Sequence, residues 1–197
     1  MSEIKSALEL ALERTKDVKG DKESVRAREM KQHGKRVVTK LMDDPSIDLK
    51  KAVKEYPSKD QKAVKDGFFE ILLANLSLPT EKADLQKLEP LKKGFEYATG
   101  DRRNVNYLFD QLEQLLNQFL DTKQQLIEHL RNQFSQRIRE KEEQASKQMG
   151  TQVRIDPASD PEFSRALNQN LGNLQNQYGG VIDQVKEQLR ALYDQNR

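Results

Sequence analysis

Two histidines, His33 and His129, and the carboxylates Glu140, Glu142 and Glu143 are the side chains whose types best suit metal or acid–base chemistry. Their spacing does not suit it. A metal centre needs three or four converging ligands. Glu128 and His129 are sequence neighbours, which sets them about 100° apart on a helix, and no further ligand stands at helical spacing from them. The three carboxylates alternate with Arg137, Arg139 and Lys141. Acid–base work needs a pocket that shifts pKa values, whereas mixed charges at i,i+4 read as a solvated helix face. The chain has no cysteine, which removes disulfides, thiolate ligands and Cys nucleophiles together. No catalytic residue, no cofactor and no metal site is expected, and the chain reads as non-enzymatic.

A second set of side chains suits phosphate. Lys31, Lys35, Arg36, Lys40, Lys50, Lys51, Lys54, Lys59, Lys62 and Lys65 crowd the N-terminal half, and such cations bind nucleic acid through its backbone. Acids interleave with them, and no recognition-helix or base-stacking pattern accompanies them. A nucleic-acid-associated protein is the alternative reading.

The elements that carry these residues are helices. Hydrophobic residues make up 35% of the 197 and charged residues 34%, too little apolar matter for one large core but enough for narrow seams between helices. The net charge of +2 predicts no strong field. The opening Met1–Ser2–Glu3–Ile4–Lys5 lacks the form of a signal peptide, and no run approaches the ~18 apolar residues of a membrane span. A cytoplasmic protein is expected.

Ile4, Leu8 and Leu12 recur at helical spacing in a first amphipathic helix. A hinge is expected near Gly20, so residues 1–23 form an N-terminal helix and hinge. A second helix runs from about Ser24 to Met42, weakened at Gly34 and ended by Pro45. Asp48 caps a short helix that Pro57 stops. Ser58 and Gln61 have capping-box spacing, and the next helix, with Phe68, Phe69, Leu72 and Leu73, is apolar around most of its circumference. Thr80 caps another, which Pro90 should kink or split and Gly100 should end. Residues 24–100 are thus a bundle of short helices, whose Phe68, Phe69, Phe95 and Tyr97 could line a pocket but are explained by core packing.

At Asp101 the composition changes: 4 Asn and Gln precede it and 25 lie in residues 101–197. Val105, Leu116, Ile127 and Ile138 recur every 11 residues, about 3.67 per turn, on a helix of roughly 70 Å. Gly150–Ser159 is a loop, Asp160–Pro161 is a helix start, and a last helix carries Leu174, Tyr178, Val181, Val185 and Leu189 inward. The fold class is all-α, a small bundle followed by a long antiparallel, coiled-coil-like hairpin over 101–197.

A two-helix hairpin leaves apolar edges to cover. Phe109, Leu116, Leu120 and Ile127 extend the stripe beyond one partner helix, so self-association or a protein partner is expected. Gly179 and Gly180, beside Tyr178, read either as a tolerated kink or as close approach of another backbone. The uncharged amides suit a contact surface that avoids desolvating charge. Together these features describe an interaction or scaffold module working through helix faces.

Overall fold

The computed structural model describes residues 7–196, with side chains from residue 22 onward. Among these residues the chain forms six α-helices and no strand: α1 (Ala7–Asp43), α2 (Leu49–Lys54), α3 (Ser58–Asn75), α4 (Leu88–Thr99), α5 (Arg102–Met149) and α6 (Pro161–Gln195). The all-α class follows. Ile4 lies outside the described residues, as do the side chains of Leu8 and Leu12.

Local signals set most helix ends. Asp48 caps α2 by accepting from Lys51 N. A 3-10 segment, Lys82–Lys87, precedes α4, so the helix divides just ahead of Pro90. Pro90 then lies in the first turn of α4, where an intrahelical N–H is not needed. Gly100, at φ 70°, donates its N–H to Glu96 O across the last turn of α4, the left-handed stop that favours glycine.

Three local expectations change. Residues 7–43 are one helix through Gly20, where a hinge was expected; an interior glycine costs about 1 kcal/mol and does not by itself break a helix. The Ser58–Gln61 capping box does not form: Pro57 occupies the cap position, and the Gln61 amide donates to Tyr56 O instead. At the 3-10 segment the capping pair is Glu81 with Asp84, whose carboxylate accepts from Thr80 N and Glu81 N.

The chain packs as two units. The first holds residues up to Leu76, Glu89–Val105 and those from Leu192 on. Its centre is the crossing of α1 and α3. A Cβ on Gly34 would strike the Val64 carbonyl oxygen and lie 2.6 Å from Phe68 N, and one on Gly67 would strike the Lys31 carbonyl group. Gly34 is therefore a contact point that lets two backbones meet. Around it Leu41, Phe68, Leu72 and Phe95 are fully buried. Arg26 holds Asp60 through two bonds of 2.8 and 2.6 Å, and the guanidinium keeps that buried carboxyl below the usual carboxylate range.

The second unit holds Ser77–Leu88 and Asn106–Ala191. Here α5 and α6 are antiparallel: Phe119 meets Tyr178 at 5.3 Å and Phe134 meets Phe163 at 5.7 Å, ring centre to ring centre. Residues 77–88, grouped by composition with the N-terminal half, cover part of the hairpin seam. Leu78 and Leu85 pack on Phe119, Leu120 and Tyr178, and Lys123 donates to Thr80 O at 2.9 Å. At the turn Asp160 is buried, caps α6 by accepting from Glu162 N and Phe163 N, and pairs with Lys141.

Candidate interaction surface

Most of the hairpin side chains expected to meet a partner face inward. Phe109, Leu116, Leu120 and Tyr178 are between 2% and 8% exposed, and Ile127 is half-buried. The chain hides this stripe itself, partly through Leu78 and Leu85, so the first four offer no surface to another protein.

The outward faces of the same helices carry the surface. On α5, Asp110, Glu113, Gln114, Asn117, Gln118, Asp121 and Gln125 are all exposed. They line one shallow depression with Thr122 and include three carboxylates and no cation. On α6 the last apolar stripe steps by four after Tyr178, so Ile182 is buried and Val181 is 38% exposed, the reverse of the expected placement. That step leaves a solvent-facing strip of Asn170, Asn173, Gln177, Gly180, Val181, Gln184, Gln188 and Ala191, every one exposed. None is charged, in a chain that is 34% charged. Glu187, exposed and paired with Arg190, stands three positions after Gln184 and four before Ala191 and so borders this strip, while Asp183 pairs with Lys186.

Gly172, Gly179 and Gly180 lie in unbroken helix, and a Cβ added at any of them would meet nothing within 4 Å. Close approach within the hairpin is thereby excluded as their reason. Each lowers helix stability by about 1 kcal/mol relative to alanine with no packing return inside the chain.

The groups considered for chemistry have local partners or solvent. His33 lies 5.3 Å from the Tyr56 ring, and His129 is exposed. Phe68, Phe69, Phe95 and Tyr97 fill the first unit with edge-to-face contacts, Phe68 on Tyr97 and Phe69 on Phe95. Among the basic residues, Lys31 pairs with Glu70 and Lys51 with Asp48, while Lys65 lies 5.9 Å over the Tyr97 ring. Lys40, Lys50, Lys54, Lys59 and Lys62 are exposed. Among the described residues no helix is long and apolar enough to cross a membrane.

Residues 50–191 match the model of a family described as Family of unknown function (DUF6657). The chain belongs to this family. The DUF6657 match spans α2 from Lys50 through α6 as far as Ala191 and so includes both outward hairpin faces, whereas Ile4, Leu8 and Leu12 lie outside it. No curated protein and no solved structure matches the chain.

The α6 strip was legible only in part. Amide enrichment after Asp101 marked the right half of the chain, but the side of the helix turned on whether Val181 or Ile182 pointed inward. That one-residue choice depends on packing against α5.

Proposed function

We propose that this protein is a non-enzymatic interaction or scaffold module of the cytoplasm, working through the outward faces of its helical hairpin. One observation carries the reading: eight positions along one side of α6 are exposed and uncharged while the hairpin's apolar stripe is largely satisfied inside the chain. Depletion of charge marks the centre of a protein–protein contact, where desolvating an ion would oppose binding. The acidic, amide-rich face of α5 offers a second surface suited to a basic or amide-bearing partner. The N-terminal stretch with Ile4, Leu8 and Leu12 belongs to the same reading on its sequence spacing.

The test is capture of the tagged full chain from native lysate, with and without nuclease, beside two variants: Gln177→Glu/Gln184→Glu on α6 and Gln118→Lys/Gln125→Lys on α5. A defined protein that survives nuclease and is lost with one variant is the expected result. Recovery that disappears with nuclease, or falls steeply with salt, replaces this reading with the nucleic-acid one and directs attention to Lys50, Lys54, Lys59 and Lys62.

A further inference from the structure

Several acids that interleave with the N-terminal lysines in sequence are engaged by local contacts in the folded first unit. Asp60 is buried against Arg26. Asp48 caps α2 and reaches Lys51 at 3.7 Å, and Asp44 accepts from Ser46. The lysines are not engaged to the same degree. Residues 49–65 hold six lysines and two acids. Lys50, Lys54, Lys59 and Lys62 are exposed and, among the described residues, join no ion pair. Lys51 has Asp48, and Lys65 lies over the Tyr97 ring. With Asp60 buried, Glu55 is the exposed acid left in this stretch.

The four lysines stand on adjoining elements of one unit. Helix α2 packs against α3, and residues 55–57 join them. Like charges one turn apart, Lys50 with Lys54 and Lys59 with Lys62, oppose helix formation. Lys59 also sits in the first turn of α3, where the helix dipole disfavours a cation. Nothing within the chain offsets these arrangements, whereas a bound polyanion does.

We propose that these lysines hold the phosphate backbone of a nucleic-acid duplex without reading its sequence. This goes beyond the hairpin reading, because it uses another unit and another chemistry. Separate ammonium groups meet phosphates as point charges. Within residues 49–65 every cation is lysine, so no guanidinium fork is offered to a base edge. The aromatic ring of this stretch, Tyr56, is half-buried beside His33, which leaves no exposed ring for an unpaired base to stack on and favours a duplex. Leu49 and Val53, the large apolar residues of α2, are buried, so α2 has nothing to insert into a lipid surface. The complex is weak, with a Kd of roughly 1–100 μM at physiological salt, as for other non-specific binding.

Fluorescence anisotropy of a labelled DNA duplex of arbitrary sequence, titrated with the full chain at about 50 and about 200 mM salt, tests this. Four phosphate contacts predict a slope of log affinity on log salt near about −3.6, so Kd should rise about 100-fold between those concentrations. K50Q/K54Q should bind more weakly at the lower salt and show a rise of only about 10-fold, and K59Q/K62Q should do the same. E55Q removes a repelling carboxylate and should bind more tightly than the wild type. All five positions are exposed and glutamine is a good helix former, so thermal midpoints should stay within about 2 °C of the wild type. No binding at about 100 μM protein in about 50 mM salt overturns the proposal. So does a K50Q/K54Q/K59Q/K62Q chain that binds like the wild type. A wild type that binds phosphatidylserine vesicles through these lysines and leaves the duplex unbound overturns it as well. The hairpin reading fails separately, in the lysate capture, because none of these lysines lies on α5 or α6.

Discussion

At the scale of single residues, Asp160 does more than its sequence context announces. Asp before Pro161 marks a helix start, and the carboxylate does accept from Glu162 N and Phe163 N. It is also buried and paired with Lys141. The Lys141 ammonium first, then those backbone amides, hold its pKa at about 2, below the ordinary 3.8. A carboxyl whose pKa is lowered by folding contributes stability above its unfolded pKa and loses it as pH falls toward the folded one. The contribution is therefore complete above about pH 4 and lost between about pH 4 and pH 2. Asp160→Asn keeps a good capping side chain but gives up the ion pair. Its urea midpoint should lie below the wild type's at pH 6, and the gap should narrow at pH 3. An equal gap at both values would show that the ionised carboxylate is not what matters. The cap was readable because it acts on amides two and three residues away. Lys141 was not, because it lies 19 residues off on another helix.

At the scale of helices, two glycines of one chain should respond to alanine in opposite directions. Gly34 meets backbone of α3 with no room for a methyl. Gly34→Ala gains about 1 kcal/mol of helix propensity but must push α1 and α3 apart, and overpacking typically costs about 1–3 kcal/mol. The contact here is with backbone that cannot rotate away, so a net loss of about 1–2 kcal/mol is expected in urea unfolding. Gly180→Ala, with open space around it, should gain about 1 kcal/mol in urea unfolding. A neutral Gly34→Ala would mean that the crossing tolerates separation. From sequence both glycines look alike, as weak points in good helices. Only the neighbour across the crossing distinguishes them.

At the scale of the whole chain, the first unit is closed by residues from its far end. Tyr193 stacks on Phe69 with ring centres 4.0 Å apart and planes at 6°, and its hydroxyl donates to Asp66 at 2.8 Å, across 127 positions of sequence. Tyr193→Ala should cost about 3–5 kcal/mol, as large aromatic truncations in cores do, and Tyr193→Phe about 1 kcal/mol for the lost hydrogen bond. Chemical denaturation followed by tyrosine fluorescence or circular dichroism checks both. A Tyr193→Ala chain as stable as the wild type would show that the last residues merely lie against the unit. What the sequence determined by itself was most of the helices and where they stop, the continuity of α1 through Gly20 excepted. The stops at Pro45, Pro57, Gly100 and Gly150 and the caps at Asp48 and Asp160 all act within about one helical turn, which is the range a linear pattern contains. Tertiary structure alone decided which stretches share a unit, that Gly34 and Gly67 must be glycine, that Leu78 and Leu85 cover the hairpin, and that Val181 rather than Ile182 faces solvent. Each of those depends on a surface brought up from a distant part of the chain, and apolar periodicity records that a face is buried without recording what buries it.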